Sequence, residues 1–217
     1  MRETGSAVAA RGRVPRVRAA IVKQFGHPRG IAGVIVGRVM AHRSSNIRRN
    51  RWVVAQLDLR PSDSVLEVGF GPGIAIEAFA AALPQGRVYG IDHSEVMFRQ
   101  AMRRNRHAVR SGIVHLTRAS VDDVPRLGAP VDAILAVNSM WFWPQPATRL
   151  QELRALLRSG GRIAITTQPR GKGADAEASR SAALDIEAAL AGAGFTQTRV
   201  ETLDLDPPVV CVIGVNA

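Results

Sequence analysis

Residues 65–73 read Val-Leu-Glu-Val-Gly-Phe-Gly-Pro-Gly, and this stretch decides the fold. Its apolar start predicts a buried strand, its three glycines predict a tight turn, and Ile74–Phe79 predicts the helix behind them. A strand, a glycine-rich turn and a helix in this order open doubly wound α/β domains, where glycine lets the backbone approach a ligand closely. Two acidic residues strengthen the indication, because Glu67 lies at the end of the strand and Asp92 follows the next one.

Strands and helices are expected to alternate from residue 64 onward. The predicted strands are Ser64–Val68, Arg87–Ile91, Ile113–Thr117, Val131–Val137 and Arg162–Thr167. The predicted helices are Ile74–Leu83, Ser94–His107 and Pro146–Leu157, the last of them ended by Ser159-Gly160-Gly161. After a helix at Ser179–Ala193, strands Gln197–Leu203 and Val209–Val215 are joined by a connection too short for a parallel crossover, so we expect an antiparallel hairpin.

Two further helices are expected before the first strand, at Gly30–Ala41 and Asn46–Leu57, with Ser44 or Ser45 as the N-cap of the second. The apolar stripe of that second helix is expected at Ile47, Val54 and Leu57. The predicted fold class is therefore α/β: a doubly wound, seven-stranded, mainly parallel sheet with a C-terminal antiparallel hairpin, plus N-terminal helices.

Length and cysteine content favour one domain in a reducing compartment. At 217 residues the chain can form a core that needs no disulfide or structural metal. Its single cysteine, Cys211, lies in an apolar run and is expected to be a buried structural thiol, which predicts a cytoplasmic protein. Gly30–Ala41 has about half of the roughly 20 residues that a membrane helix needs, so no membrane span is expected.

The net charge of +11 is concentrated in residues 1–60, whereas residues 61–217 hold equal numbers of acidic and basic side chains. We expect residues 1–20 to be a flexible basic tail, residues 21–60 a helical segment and residues 61–217 the ligand-binding domain. The basic arm could steer an anionic partner, either nucleic acid or an acidic lipid surface. The alternative is a solvated, partly disordered tail from an arginine-rich proteome.

Three motifs resemble those of class I methyltransferases, which use S-adenosyl-L-methionine (SAM), and the resemblance covers about residues 45–217. They are the turn at 67–73, the second-strand stretch Gly90–Met97, and the turn Leu156–Gly161. The resemblance implies SAM as the cofactor, with the glycine turn at its methionine end, Asp92 on the ribose hydroxyls, and His93 and Met97 beside the adenine. The implied cofactor set is Glu67, Gly69, Phe70, Gly71, Gly73, Asp92, His93, Met97, Ser120, Val121 and Asn138. Ser120 stands where the family usually has an acidic residue, so Asp122 is an alternative adenine contact.

A dinucleotide-binding fold is the main competing interpretation. Its fingerprint places a third glycine where this chain has Ile74, and Glu67 would repel a pyrophosphate. Both features favour a ligand that carries a sulfonium.

The methyl acceptor is expected at the carboxyl ends of the strands, where open α/β sheets bind their ligands. The candidate acceptor residues are Met140, Trp141, Phe142, Trp143 and His42. The aromatic run could instead be a hinge that packs on the N-terminal helices. The segment Phe25–Asn50 is expected to close over the site as a lid.

Two observations argue against particular functions. The chain lacks the Asn/Asp-Pro-Pro-aromatic tetrad of enzymes that methylate base amines or glutamine amides. Its five histidines are dispersed, without the spacing of metal ligands, so no metal is expected.

The sequence therefore predicts a SAM-dependent methyltransferase that acts by in-line displacement on a small-molecule or lipid-like acceptor. The alternatives are an RNA or other nucleic-acid methyltransferase that uses the basic arm, and a SAM-binding protein without turnover.

Overall fold

The computed structural model describes residues 44–171 and 173–217. The predictions for the basic tail at residues 1–20, the helix at Gly30–Ala41, His42 and most of the expected lid lie outside these residues. The expected domain boundaries stay predictions.

Six α-helices and seven strands make up the described part of the chain. The helices are α1 (Ser44–Gln56), α2 (Ile74–Ala82), α3 (Glu95–Arg104), α4 (Arg106–Arg110), α5 (Pro146–Leu156) and α6 (Ala176–Gly192). The strands are β1 (Ser64–Val68), β2 (Arg87–Ile91), β3 (Val114–Thr117), β4 (Val131–Val137), β5 (Leu157–Thr167), β6 (Thr196–Leu203) and β7 (Val209–Val215). A single 3₁₀ turn at Met140–Phe142 follows β4.

The seven strands form one sheet in the order β3-β2-β1-β4-β5-β7-β6. The pairs from β3 to β5 are parallel, and β7 runs antiparallel to both β5 and β6. The predicted mainly parallel sheet with an antiparallel C-terminal hairpin is confirmed. Because β1 and β4 are neighbours but not consecutive, the order in which strands are added to the sheet reverses between them, which is where such sheets open a crevice for ligands.

Hydrophobic side chains cover both faces of the sheet. On one face, Val65 and Leu135 pack with Val53 and Leu57 of α1 and with Phe79 of α2. The opposite face carries Leu66, Ile134 and Ile163, packed with α5 and α6. Burial on both faces explains why apolar residues are consecutive at Val65-Leu66 and at Ala133–Val137 rather than alternating with polar ones.

Two predicted boundaries are corrected by long-range pairing. Helix α5 ends at Leu156, and Leu157 already pairs with Val131, so Gly160 and Gly161 lie in an irregular part of β5 instead of ending the helix. The Gly160 N–H donates to the Asn216 carbonyl (2.7 Å), and the Asn216 N–H donates to the Gly161 carbonyl (2.8 Å). The partner that makes this segment a strand is therefore far away in the sequence.

The predicted helix at Ser94–His107 is divided at Asn105. The Asn105 side-chain amide donates to the Ala101 carbonyl (3.0 Å) at the end of α3 and to the Gly73 carbonyl (3.1 Å) in the glycine turn. The interruption thus ties α3 to the turn that opens α2.

The start of α1 also differs from the prediction. Ser44 and Ser45 lie inside the helix, and its buried face begins with polar residues, Asn46, Arg49 and Asn50, before Val53 and Val54. Ile47, which was expected on the buried stripe, is only partly buried.

Cys211 is fully buried in β7, and burial raises the pKa of its thiol to about 11, as expected for a structural cysteine. Within the described residues, no helix combines the length and the apolar character that crossing a bilayer requires. The cytoplasmic location stays a prediction.

The turn before β2 provides a test of how tightly the amino ends of β1 and β2 pack together. A Cβ at Gly86 would lie 2.0 Å from the backbone oxygen of Asp63, an overlap that no side-chain movement can relieve. We expect Gly86→Ala to lower the free energy of unfolding by at least about 2 kcal/mol, measured by urea denaturation. The matched control is Gly192→Ala at the end of α6, where a Cβ meets no atom within 4 Å and stability should hold or rise slightly. Equal stability of both variants would contradict this account.

Candidate functional site

The three glycines of the turn after β1 all have a left-handed backbone, with φ of 80° at Gly69, 51° at Gly71 and 77° at Gly73. Their surroundings differ. A Cβ at Gly69 would lie 2.6 Å from the Ser139 Cβ, and one at Gly73 would lie 2.6 Å from the Asn105 amide nitrogen. A Cβ at Gly71 would meet nothing within 4 Å. Two glycines therefore allow close packing, and the one between them faces open space that a ligand can approach.

Hydrogen bonds from three neighbouring segments fix the turn. The Gly69 N–H donates to the Ile91 carbonyl (2.8 Å) of β2. The Ser139 hydroxyl donates to the Val68 carbonyl (2.7 Å), and the Arg104 Nε donates to the Pro72 carbonyl (3.1 Å). The turn is thus held by β2, by the segment after β4 and by α3.

Asp92 connects the turn to the end of β2. Its carboxylate is 7% exposed and accepts from the Gly71 N–H (2.8 Å) and from the Ser94 N–H (2.8 Å). Burial raises the pKa of Asp92, and these two backbone hydrogen bonds oppose that effect. A carboxylate in this position holds Gly71 in place and keeps lone pairs for a ligand hydroxyl.

Glu67 is more deeply buried, with 2% of the residue exposed. Its Oε2 has no hydrogen-bond partner within residues 44–171 and 173–217. Burial raises its pKa well above the usual range, the charge of Asp92 raises it further, and a backbone hydrogen bond from Ile76 acts in the opposite direction. A buried acidic side chain with an unused oxygen fits a cationic group placed beside it.

The remaining predicted cofactor residues divide into exposed and buried groups. His93 is half-exposed, with its Nδ1 4.0 Å from the Asp92 Oδ1. Met97, Phe70 and Val121 are buried, and the Phe70 and Val121 side chains belong to the hydrophobic core, so only their backbone groups are suited to a polar ligand.

Ser120 is exposed after β3, and its side chain hydrogen-bonds Asp122, which helps to lower the pKa of that carboxyl. The two alternatives for the adenine contact therefore lie side by side.

Asn138 follows β4 with a left-handed backbone (φ 53°). Its N–H donates to the Thr166 carbonyl (2.8 Å), and its side-chain oxygen accepts from the Gln168 N–H (2.8 Å). Asn138 therefore joins the ends of β4 and β5 at the edge of the sheet that also carries the glycine turn.

The aromatic run after β4 is divided between core and surface. Met140 and Trp143 are buried in the hydrophobic core. Trp141 and Phe142 are 45% and 39% exposed, and the Trp141 indole N–H donates to the Thr167 hydroxyl (3.2 Å). Trp141 and Phe142 are called the aromatic ledge below. Among the predicted acceptor residues that the structure describes, they are the two that are exposed.

Four residues that the structure places at the glycine turn or at the ends of β4 and β5 were missing from the predicted set: Arg49, Asn105, Ser139 and Gln168. Ser139 could have been suspected because a left-handed glycine often marks a close neighbour. Arg49 could have been suspected because it lies four residues before Val53, on the same buried face of α1. Asn105 and Gln168 make contacts with residues distant in the sequence, which no local pattern predicts.

The described residues contain no group of three His, Cys, Asp or Glu side chains arranged to hold a metal ion.

Comparison with known proteins identifies relatives over most of the chain. A family model described as a methyltransferase domain matches residues 65–161. The protein YdaC of Bacillus subtilis (strain 168), described as an uncharacterized methyltransferase, is 31% identical over 179 residues, which cover 82% of this chain and 96% of YdaC. The trans-aconitate 2-methyltransferase of Azoarcus sp. (strain BH72) is 34% identical over 119 residues, which cover 54% of this chain and 44% of that protein.

Solved structures agree on the fold. A SAM-dependent methyltransferase from Aquifex aeolicus superposes with a TM-score of 0.63 at 20% sequence identity, over 91% of this chain and 98% of that one. The domain match runs from β1 through the glycine turn and Asp92 to the irregular start of β5. Together with the match to YdaC over most of both chains, this shows that the chain belongs to the class I SAM-dependent methyltransferases.

Proposed function

We propose that this methyltransferase transfers the methyl group of SAM to a small-molecule or lipid-like acceptor by in-line displacement. The observation that carries the proposal is the aromatic ledge. Trp141 and Phe142 expose large apolar surfaces at the carboxyl edge of the sheet, two and three residues after Ser139, which packs on the glycine turn. An apolar surface beside a cofactor site suits an acceptor that must be held in a dry pocket.

The residues of the turn fit SAM, which supplies a methyl group activated by a sulfonium. The unused oxygen of Glu67 can pair with the positively charged end of the cofactor, whose charge would favour the ionised carboxylate and oppose the effect of burial on its pKa. The open face of Gly71 allows the cofactor to approach the backbone, and Asp92 lies where the ribose hydroxyls are expected. No cation from the described residues is paired with Glu67.

The chain's own contribution to transfer is alignment and exclusion of water. Hydrogen bonds from β2, α3 and Ser139 fix the turn before any ligand arrives, which lowers the entropic cost of aligning donor and acceptor. The indole of Trp141 is itself held by Thr167, so the ledge is oriented rather than free.

A relative's name gives independent support for a small acceptor. The Azoarcus enzyme is named for methylating trans-aconitate, and this chain spans 44% of its length.

We also propose that the N-terminal arm contributes to substrate binding, either as a lid or as a site for an anionic partner. Its support is the concentration of the whole net charge in residues 1–60.

Glu67→Gln should separate stability from cofactor binding. Because burial raises the folded-state pKa of Glu67, its contribution to stability is fully present below the unfolded pKa and is lost as pH rises through the folded pKa. We therefore expect the melting temperature of Glu67→Gln to equal that of the wild type at about pH 4 and to exceed it increasingly toward pH 8. At pH 8 its affinity for SAM should fall at least about tenfold by calorimetry, since a charge-assisted contact is lost.

The comparison variant is Asp92→Asn, which disturbs the hydrogen bonds to Gly71 and Ser94. It should lose SAM affinity without any gain in melting temperature, whereas Asp185→Asn on the exposed face of α6 should change neither. A Glu67→Gln variant that binds SAM like the wild type would remove Glu67 from the cofactor site.

The acceptor proposal predicts a specific defect for Trp141→Ala. The protein is incubated with SAM and with small-molecule extract of Bacillus subtilis, and formation of S-adenosylhomocysteine is followed. Trp141→Ala should require at least about fivefold more extract for half-maximal turnover, with unchanged SAM affinity, because the loss of a large aromatic surface weakens acceptor binding.

Leu184→Ala is the matched control, since Leu184 is an exposed apolar residue on α6 (66% exposed). Turnover with extracted RNA but not with small molecules, weakened steeply by salt, would favour the nucleic-acid alternative. SAM binding with no turnover on any fraction would favour a non-catalytic role.

Removing residues 1–43 tests the arm while leaving α1 whole. We expect the truncated protein to bind SAM with an affinity within about threefold of the full chain, since the described cofactor residues begin at Glu67, and to lose most of its turnover in the same extract assay. Full turnover after truncation would show that the arm serves neither as a lid nor as a substrate site.

A further inference from the structure

The buried face of α1 changes character along its length. Its C-terminal half buries Val53 and Leu57 against α2 and the sheet. Its N-terminal half continues the same face with Asn46, Arg49 and Asn50, each less than 10% exposed. A polar group on a buried helix face costs free energy unless it is paired, so this half of α1 needs partners.

That polar half lies at the functional edge of the sheet. The Arg162 Nη2, in the middle of β5, donates to the Asp58 carbonyl (3.4 Å) just beyond the end of α1. The Arg49 Nη1 donates to the Gln168 side-chain oxygen (2.8 Å), directly after β5. Helix α1 therefore runs along β5 so that Arg49 reaches the strand's carboxyl end, where Gln168 also contacts Asn138.

The hydrogen-bond partners of Arg49 are neutral. Nη1 donates to Gln168 and Nη2 donates to the Asn46 side chain. Nε is buried without a hydrogen-bond partner among the described residues, and none of the described carboxylates forms an ion pair with Arg49. The guanidinium is thus a buried cation with an unused donor at the edge of the sheet that binds ligands.

Other arginines of the described chain show the contrast. Arg158 pairs with Asp132 at 2.5 Å, Arg149 with Glu152 at 2.9 Å, and Arg104 with Glu77 at 3.2 Å. All three are more exposed than Arg49, which is 4% exposed. The most deeply buried of these four charges is the one without a carboxylate.

The electrostatic surroundings of Arg49 add to this imbalance. Burial lowers its pKa to about 9, and the charge of Arg170, two residues beyond Gln168, lowers it further. The side chain stays protonated at neutral pH, so Arg49 is a buried charge without a carboxylate partner among the described residues. An anion bound at this place would remove the penalty, because a buried charge becomes favourable only when it is paired.

We propose that Arg49, with Arg170 beside it, binds a carboxylate of the methyl acceptor, so that this protein methylates small organic acids. The inference rests on the proposed function, because it assigns a substrate class to the same site. A guanidinium suits a carboxylate because its planar N–H groups match the two carboxylate oxygens.

The position favours the acceptor over the carboxylate of SAM itself. Gln168, the partner of Arg49, follows β5 and donates to the Pro207 carbonyl (2.9 Å) in the connection before β7. The glycine turn follows β1, with β4 lying between β1 and β5 in the sheet. The aromatic ledge, by contrast, contacts Thr167, the residue next to Gln168.

The test separates a small-molecule extract of Bacillus subtilis by anion exchange into retained and unretained pools. The full-length protein is given SAM carrying a radiolabelled methyl group together with each pool, before and after phosphatase treatment, and in a separate reaction with extracted RNA. We expect label to enter acceptors from the retained pool and the transfer to survive phosphatase. Label only from the unretained pool would overturn the inference while supporting the proposed function, and label only in RNA would overturn both.

Arg49→Gln then assigns the contact. This variant should need about ten- to a hundredfold more of the retained pool for half-maximal transfer, with an unchanged SAM dissociation constant, because it loses a charge-assisted hydrogen bond. Arg49→Lys should recover part of the loss, and Arg51→Gln, on the exposed side of the same helix, should behave like the wild type. A loss of SAM affinity in Arg49→Gln would mean that Arg49 binds the carboxylate of the cofactor. Transfer abolished by phosphatase would mean that the acceptor is phosphorylated. Either result would overturn the proposal.

Discussion

Two acidic side chains, Glu67 and Asp92, are buried at the carboxyl ends of the neighbouring parallel strands β1 and β2, and the site is arranged around them. Burial raises the pKa of both side chains. The charge of Asp92 raises the pKa of Glu67 further, whereas the backbone hydrogen bonds from Ser94 and Gly71 lower that of Asp92. Asp92 is stabilised by the N–H groups of Gly71 and Ser94, whereas Glu67 keeps one oxygen without a described partner. Burial therefore favours the neutral form of Glu67 in the apoprotein, and a cationic cofactor placed beside it would favour the ionised form and oppose that pKa shift.

The glycine turn makes this arrangement geometrically possible. Gly69 and Gly73 admit Ser139 and Asn105 at distances that a Cβ would forbid, so β4 and α3 pack directly against the turn. Gly71 between them remains open and is held by Asp92. Close packing on both sides and a fixed open centre give a rigid cradle, and rigidity is what aligned methyl transfer requires of the cofactor site.

The elements that could be predicted from the sequence are those governed by local patterns. Strands β1, β2, β4 and β7 were predicted with their observed bounds, because strands buried on both faces are short apolar runs bounded by turn residues. The early start of β5 was missed because it depends on Asn216, and the break at Asn105 was missed because it depends on Gly73. The aromatic run shows the same limit: sequence placed it at the site, but only packing decides that Trp141 is exposed while Trp143 is buried.

Arg49 illustrates why a buried polar residue is hard to predict and informative once seen. On a helical wheel it occupies a core position, where a charged side chain contradicts the pattern, and such contradictions concentrate at functional sites. Two acidic side chains, Glu67 and Asp92, lie at the ends of β1 and β2, whereas the cation Arg49 contacts Gln168 just after β5. A cationic cofactor and an anionic acceptor would each be drawn to a different side, and their reacting groups would meet between them.

Carboxylates near the cofactor also favour it more while it carries the sulfonium charge than after methyl transfer has removed that charge. Buried acids that recruit a sulfonium cofactor would therefore bind its product less strongly, which would favour exchange after each turnover.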